Sequence, residues 1–185
     1  MDERVRLIVC GEPWRGDDAA ARQAARLLPE RVRRVADVRL VGQLDPEQLL
    51  DVDREHPCVL VDTVVGVPAG QVVVRPLVEL RGHAGPGMRS SHALPPAETI
   101  ALAEALGADL RASLLIGVGG ADFSFGAALS PAVLESLPRF ARMIGRTVLE
   151  LSARHHPTTA PVAAIAATAA ATAHRASQPR KESQP

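Results

Sequence analysis

The sequence is poor in aromatic residues, and it has almost no lysine. Phe and Trp together make up 2% of its 185 residues and Tyr is absent, so the core must be built from Val, Leu, Ile and Ala. Such a core is typical of a mostly parallel sheet covered by helices. The 21 basic residues, all Arg except Lys181, equal the 21 acidic residues in number. This balance argues against a nucleic-acid or anionic-membrane surface that depends on bulk charge.

Cysteine and long apolar runs are also scarce. Cys10 and Cys58 lie far apart and form no Cys-x-x-Cys pair that could bind zinc or perform redox chemistry. We therefore expect a reduced, cytosolic chain. The apolar run at residues 7–10 is shorter than the ~7–15 residues of a signal-peptide core. The mild run at residues 162–173 is shorter than the ~20 residues of a membrane span, so we expect neither export nor a membrane segment.

Strands and helices alternate along most of the chain. The segment 58–65 is apolar on both faces, which predicts a central strand. The turn at residues 68–70 leads directly from that strand into another, which predicts an antiparallel edge pair. Near the C-terminal end of the pattern, Ser130 is expected to cap a short helix, and Pro138 to start a longer one. The further predicted strands cover residues 4–10, 35–41, 71–75 and 112–118, and the further predicted helices cover 19–28, 46–50 and 96–106.

The predicted fold class is α/β, a three-layer α/β/α sandwich with a mixed, mostly parallel sheet of about five strands. We expect one such domain over residues 1–154. Residues 155–185 are rich in Ala, Thr, Pro, Ser and Gln, a composition that buries too little apolar surface to fold. This segment is therefore expected to be a disordered, low-complexity tail.

Polar residues follow the predicted strands, which is where α/β proteins place their sites. Asp17 and Asp18 follow the first strand, Asp62 lies near the end of the third, and His92 lies in the long loop after the fourth. Carboxylates and an imidazole form a ligand set suited to a divalent transition metal with open positions. The residues alone leave plainer alternatives open. These are helix capping for at least one of Asp17 and Asp18, backbone N–H partners for Asp62, and a solvated loop position for His92.

The loop after the first strand lacks two common nucleotide-binding motifs. Residues 11–16 contain neither the dinucleotide fingerprint nor the Gly-Lys-Ser/Thr of a P-loop. No serine or cysteine has a local nucleophile signature either. The sequence therefore gives nucleotide binding and nucleophilic catalysis no support.

Several segments, in order along residues 4–152, resemble one family. Gly11-Glu12-Pro13-Trp14-Arg15-Gly16-Asp17-Asp18 resembles the Gly-Asn-Pro-x-Arg-Gly-Asp-Asp opening of the hydrogenase maturation proteases. These are nickel-dependent endopeptidases that trim the C-terminus of the [NiFe]-hydrogenase large subunit. The further matching segments are Gln43-Leu44-Asp45-Pro46-Glu47, Val59-Leu60-Val61-Asp62, Ser90-Ser91-His92, and Asp122-Phe123-Ser124-Phe125-Gly126 leading to Leu129-Ser130-Pro131.

The resemblance implies a phosphorylase/hydrolase-like fold and a cytoplasmic endopeptidase. It implies that Asp18, Asp62 and His92 are the catalytic, nickel-contacting residues, and that Asp17 supports the turn. The implied partner is the precursor of a [NiFe]-hydrogenase large subunit, which carries the nickel, and no other cofactor is implied. The metal either polarises the scissile carbonyl or activates water, or it serves only for recognition.

The sequence departs from the family pattern around the first loop. Val9 stands where the family has its first Gly, Glu12 where it has Asn, and Ala19 and Ala21 where it has Gly. These departures motivate an alternative from another functional class. In that alternative, the chain is a binding or assembly protein of the same fold that recognises the C-terminus of the large subunit without cutting it.

The proposed domain boundary can be tested by truncation. A chain that ends at Arg154 should keep the melting temperature of the full chain, because nothing from Pro157 onward has the period or bulk to join a core. Thermal unfolding followed by circular dichroism measures this. A fall of many degrees would show that the tail packs on the domain and that the boundary is misplaced.

Overall fold

A computed structural model describes residues 4–82 and 94–154. The strands are β1 (Val5–Val9), β2 (Ala36–Leu40), β3 (Cys58–Val64), β4 (Val72–Pro76) and β5 (Leu114–Gly119). The α-helices are α1 (Ala20–Arg26), α2 (Glu30–Arg33), α3 (Pro96–Ala105) and α4 (Pro131–Ser152). Short 3-10 turns cover Gly16–Ala19, Pro46–Leu49, Leu77–Gly82 and Leu110–Ala112.

The strands form one mixed sheet in the order β2-β1-β3-β5-β4. The first four strands in this order are parallel and β4 is antiparallel. The predicted α/β class, the mostly parallel sheet and the central position of β3 are therefore confirmed.

One detail of the predicted pairing is wrong. The strand β4 is an antiparallel edge strand, as expected, but it pairs with β5 instead of with β3, which precedes it in the chain. Both sides of β3 are already filled by parallel neighbours, β1 on one side and β5 on the other. The chain between β3 and β4 therefore passes the position that β5 later occupies.

Helices cover both faces of the sheet. On one face, α1, α2 and α4 pack on the side chains of Leu7, Val61 and Ile116. On the other face, Ile8 and Leu60 contact α3 and the 3-10 turns that contain Leu49 and Leu77. Alternate residues of β1, β3 and β5 thus point into opposite cores, as the pleat requires. The three-layer arrangement follows from this alternation.

A single helix replaces the two helices predicted around Pro138. The 22 residues of α4 run from Pro131 to Ser152 without interruption, with Pro138 inside. A proline in a helix removes the hydrogen bond to the carbonyl four residues earlier, which belongs here to the exposed Leu134. Buried residues on the opposite side, Phe140, Ile144 and Val148 among them, hold the helix on the sheet.

Within the described ranges, no helix combines the length and apolarity needed to cross a membrane.

Candidate functional site

The candidate site lies at the carboxyl ends of β1 and β3. The strands are parallel, with Ile8 opposite Leu60, and the N–H of Cys10 donates to the carbonyl of Val61 at 2.9 Å. Two residues beyond Ile8 and Leu60, the pleat returns to the same face of the sheet. Cys10 and Asp62 are therefore neighbours on that face, where the apolar strands give way to polar loops.

Backbone contacts bring Asp18 back to the same end of the sheet. Gly11 has a φ of +109°, and a Cβ at this position would collide with the backbone carbonyl of Asp18. Only glycine combines that conformation with so close an approach. The N–H of Glu12 donates to Oδ2 of Asp18 at 2.8 Å. The loop after β1 thus folds over and holds the Asp18 carboxylate next to the strand ends.

The two carboxylates share one electrostatic environment. Burial raises the pKa of Asp62 to about 7; the N–H of Thr63, which donates to Oδ1 at 2.7 Å, opposes this rise, and the charge of Asp18 adds to it. The pKa of the Cys10 thiol is also raised, first by burial and then by the charges of Asp62 and Asp18. The thiol of Cys10 is therefore neutral and lies near the carboxyl groups of Asp62 and Asp18.

Asp17 has a different role from its neighbour, because its side chain is completely buried. Its Oδ1 accepts from the N–H of Ser130 at 2.7 Å. Its Oδ2 accepts from the N–H groups of Ala121 and Asp122 at 2.8 and 3.0 Å, and from the Ser130 hydroxyl at 2.9 Å. Burial acts to raise the pKa of Asp17, but these donors outweigh it and lower the pKa below its usual range.

The backbone of Asp17 links the loops after β1 and β5 with the end of β3. Its N–H donates to the carbonyl of Asp122 at 2.7 Å, and its carbonyl accepts from the Thr63 hydroxyl at 2.8 Å. The loops after β1 and β5 and the end of β3 therefore meet at this one residue. We call the contacts of Asp17 with Thr63, Ala121, Asp122 and Ser130 the Asp17 clamp.

The capping interpretation is wrong for Asp17 and Asp18, and Ser130 makes no cap hydrogen bond. The first turn after β1 begins after Arg15 and has no side-chain cap, and α1 has none either. Ser130 occupies the position before α4, but its hydroxyl donates to Asp17 and makes no cap. The carboxylate of Asp17 satisfies N–H groups of a distant loop, a contact that local sequence patterns do not reveal.

The structure brings together two of the three predicted ligands. Asp18 and Asp62 lie at the carboxyl ends of the inner strands β1 and β3, whereas His92 lies outside the described residues. Within residues 4–82 and 94–154, no group of three or more His, Cys, Asp or Glu side chains is placed to hold a metal ion. The assignment of the three residues as ligands stays a prediction. The sequence interpretation missed Cys10, although its position just after β1, in register with Asp62, was a usable signal.

Comparisons with known proteins identify the fold. No family model and no curated protein sequence matches the chain. The hydrogenase maturating endopeptidase HybD of E. coli matches with a TM-score of 0.60 and 17% identity, over 80% of this chain and 93% of that one. The [NiFe] hydrogenase maturation protease HybD of Thermococcus kodakarensis matches with a TM-score of 0.60 and 22% identity, over 78% and 99%. The chain has the fold of the hydrogenase maturation proteases.

A third structure of this group supports the same conclusion. The [NiFe] hydrogenase maturation protease HycI of T. kodakarensis has a TM-score of 0.53 and 23% identity, and the match covers 80% of this chain and 93% of that one. In all three comparisons the solved protein is matched over nearly its whole length. The resemblance found in the sequence motifs therefore extends to the architecture.

The Asp17 clamp leads to a prediction about stability. Asp17→Ala should lower the free energy of unfolding by about 1–3 kcal/mol, because the donors from Ala121, Asp122 and Ser130 lose their partner and an unsatisfied donor costs about that much where water does not replace the partner. Urea unfolding measures the change. Asp53→Ala is a matched control: Asp53 also accepts backbone N–H groups, from Glu55 and His56, but it is exposed, and its loss should cost less than about 1 kcal/mol. Equal losses in both variants would contradict the clamp.

The buried carboxylate of Asp62 leads to a prediction about pH. The folded pKa of about 7 exceeds the unfolded value of about 3.9. Between these values the folded protein holds a proton that the unfolded chain releases, so this group makes the free energy of unfolding fall as pH rises from 4 to 7. Asp62→Asn removes that dependence. The variant should gain a few kcal/mol relative to the wild type between pH 5 and pH 8, at about 1.4 kcal/mol per pKa unit.

Urea unfolding of both proteins at pH 5 and pH 8, with a chelator present, measures this difference. Comparing the two proteins at each pH removes the pH dependence that they share. A difference between variant and wild type that is the same at both pH values would mean that Asp62 is not a buried, destabilised carboxylate.

Proposed function

We propose that this protein is a nickel-dependent endopeptidase of the cytoplasm. Its substrate in this proposal is the precursor of a [NiFe]-hydrogenase large subunit, from which it removes the C-terminal extension after nickel insertion. One observation carries the proposal: the loop after β1 folds back through Gly11 and holds Asp18 at the carboxyl ends of β1 and β3, where Asp62 lies. This arrangement occurs in a fold shared with solved hydrogenase maturation endopeptidases.

The chemistry of the two carboxylates suits a divalent cation carried by the substrate. Asp62 is charged only against the cost of burial and the repulsion of Asp18. A cation between the two groups would relieve both penalties. Carboxylates with one imidazole lack the soft thiolates that hold nickel tightly, so they suit a metal that arrives in the precursor. In this proposal His92 provides the imidazole.

The chain's own residues hold the carboxylates ready for this task. The N–H of Glu12 orients Asp18, and the N–H of Thr63 orients Asp62. The Asp17 clamp keeps both supporting loops in place. If the carboxylates must contact the metal before cleavage, only precursor that has received nickel is cut. Bound nickel would supply Lewis-acid chemistry at the scissile carbonyl or water.

The departures from the family pattern are compatible with this arrangement. At position 12 the contact to Asp18 comes from the backbone N–H, which Glu and Asn provide equally. Ala19 and Ala21 are buried, so their methyl groups fit the packing of the first helix turns. The endopeptidase is therefore compatible with these departures, and a cleavage assay separates it from the alternative of an assembly protein that binds the C-terminus of the large subunit without cutting it.

The test is precursor cleavage with and without nickel, followed by mass spectrometry of the large subunit. Wild-type protein should shorten the nickel-loaded precursor and leave the nickel-free precursor intact. Asp62→Asn and His92→Ala should each slow cleavage by about 100-fold or more, since even the outer partners of metal ligands are typically worth 10–100-fold. Asp53→Asn is the control and should cut normally, because Asp53 is exposed and lies ahead of β3, at the end of the sheet opposite to the site.

Three results would count against the proposal. Equal cleavage of nickel-free precursor would remove the metal from the mechanism. Normal activity of Asp62→Asn would remove that residue from the site. A folded wild-type protein that binds the precursor but cuts neither form would favour the assembly protein.

A further inference from the structure

The few aromatic residues are distributed unusually. The chain has one Trp and three Phe, and only Phe140 belongs to the buried core. Trp14 is 69% exposed and Phe125 is 84% exposed. A core short of large apolar side chains would gain from burying both, since burial stabilises by about 25 cal/mol per Å² of apolar area. Their exposure therefore calls for a different explanation from packing.

Both exposed aromatic residues lie on the loops that build the candidate site. Trp14 lies in the turn between Gly11 and Asp18, and Phe125 lies in the loop after β5. The N–H of Gly126 donates to the carbonyl of Trp14 at 2.7 Å, so the backbones of the two aromatic residues meet. We call Trp14 and Phe125 the aromatic rim.

The aromatic rim stands on a fixed support. Nε of Arg15 donates to the carbonyl of Phe123 at 3.4 Å, and Gly16 has a φ of +50° where a Cβ would collide with the carbonyl of Asp122. The Asp17 clamp joins the same two loops. Surfaces whose backbone is ordered before binding lose less entropy when a partner docks. Exposed aromatic side chains on such a support are typical of binding hot spots.

The exposed apolar residues at the other end of the sheet differ in kind. Leu106 lies just after α3, ahead of β5, and Leu27 follows α1, ahead of β2, so both are at the amino ends of the parallel strands. Both are aliphatic residues, 62% and 54% exposed, and an exposed Leu is common on folded proteins. At the site end, Val65 directly follows β3 and is 75% exposed. The exposed apolar residues at the site end thus include Trp14 and Phe125.

We propose that the aromatic rim binds an apolar surface of the protein substrate beside the bond to be cut. This inference rests on the proposed endopeptidase function. Asp18 follows Trp14 by four residues on a loop folded back on itself, as the contact of Gly11 with the Asp18 carbonyl and the bond from the Glu12 N–H to the Asp18 carboxylate show. A substrate that reaches Asp18 must therefore lie against this loop. The rim anchors the substrate and takes no part in the chemical step.

The single tryptophan makes the rim directly observable. Full-length protein labelled with 5-fluorotryptophan should give one ¹⁹F resonance, because Trp14 is the only Trp. Adding purified nickel-loaded large-subunit precursor should shift or broaden this resonance in a saturable way. Serum albumin at the same concentration should leave it unchanged. This readout requires binding only and does not depend on cleavage.

Kinetics provide the second readout. Phe125→Ala should raise KM for the intact precursor about 10-fold, the change that a loss of about 1.4 kcal/mol produces, and should change kcat little. Leu106→Ala, an equally simple truncation at an exposed apolar residue of the opposite end, should leave both constants unchanged. Circular dichroism of both variants establishes that they fold.

The outcomes separate this inference from the proposed function. If the wild type cuts the precursor while the Trp14 resonance stays unchanged and Phe125→Ala keeps its KM, the inference is wrong and the function stands. If the resonance shifts on adding precursor but no cleavage occurs, the rim is supported and the endopeptidase function fails. If neither binding nor cleavage is seen, both are wrong.

Discussion

The buried carboxylate of Asp17 is the interaction on which the site depends. A charged group without solvent is costly unless donors surround it, and here backbone N–H groups and the Ser130 hydroxyl do so. The donors come from the loop after β5, while the acceptor comes from the loop after β1. Satisfying one buried charge therefore fixes two loops that would otherwise be independent. The Thr63 hydroxyl adds the end of β3 to the same point.

The pKa values of Asp17 and Asp62 are shifted in opposite directions because the surroundings of the two carboxylates differ. The pKa of Asp17 is lowered, since donors outweigh burial. The pKa of Asp62 is raised to about 7, since burial outweighs its Thr63 partner and Asp18 adds repulsion. A carboxylate whose oxygens accept several hydrogen bonds supports the structure, whereas one with few donors would be stabilised by a bound cation. This contrast distinguishes the carboxylate that supports the site from the one proposed to act in it.

The fold could be predicted from the sequence because most of the signals are local. The apolar run of β3 and the strand–helix alternation each depend on neighbouring residues, and the structure confirms the sheet that they predict. The partner of β4 could not be predicted, because it depends on which strand fills the position beside β3. The unbroken α4 could not be predicted either, because it depends on the burial of residues along the side of the helix that faces the sheet. The same limit applies to the site. Asp18 and Asp62 were visible as polar residues at strand ends, but the donors to the Asp17 carboxylate lie more than a hundred residues away.

The glycines of the first loop explain how one short segment can serve both support and site. Gly11 allows the backbone to approach the carbonyl of Asp18, and Gly16 allows it to approach that of Asp122. Between these two contacts the chain must turn outward, because both its ends are held against the domain. Trp14 lies at that outward turn, and its carbonyl receives the N–H of Gly126. The close approaches that place Asp18 inside the site thus also place an aromatic side chain at its rim.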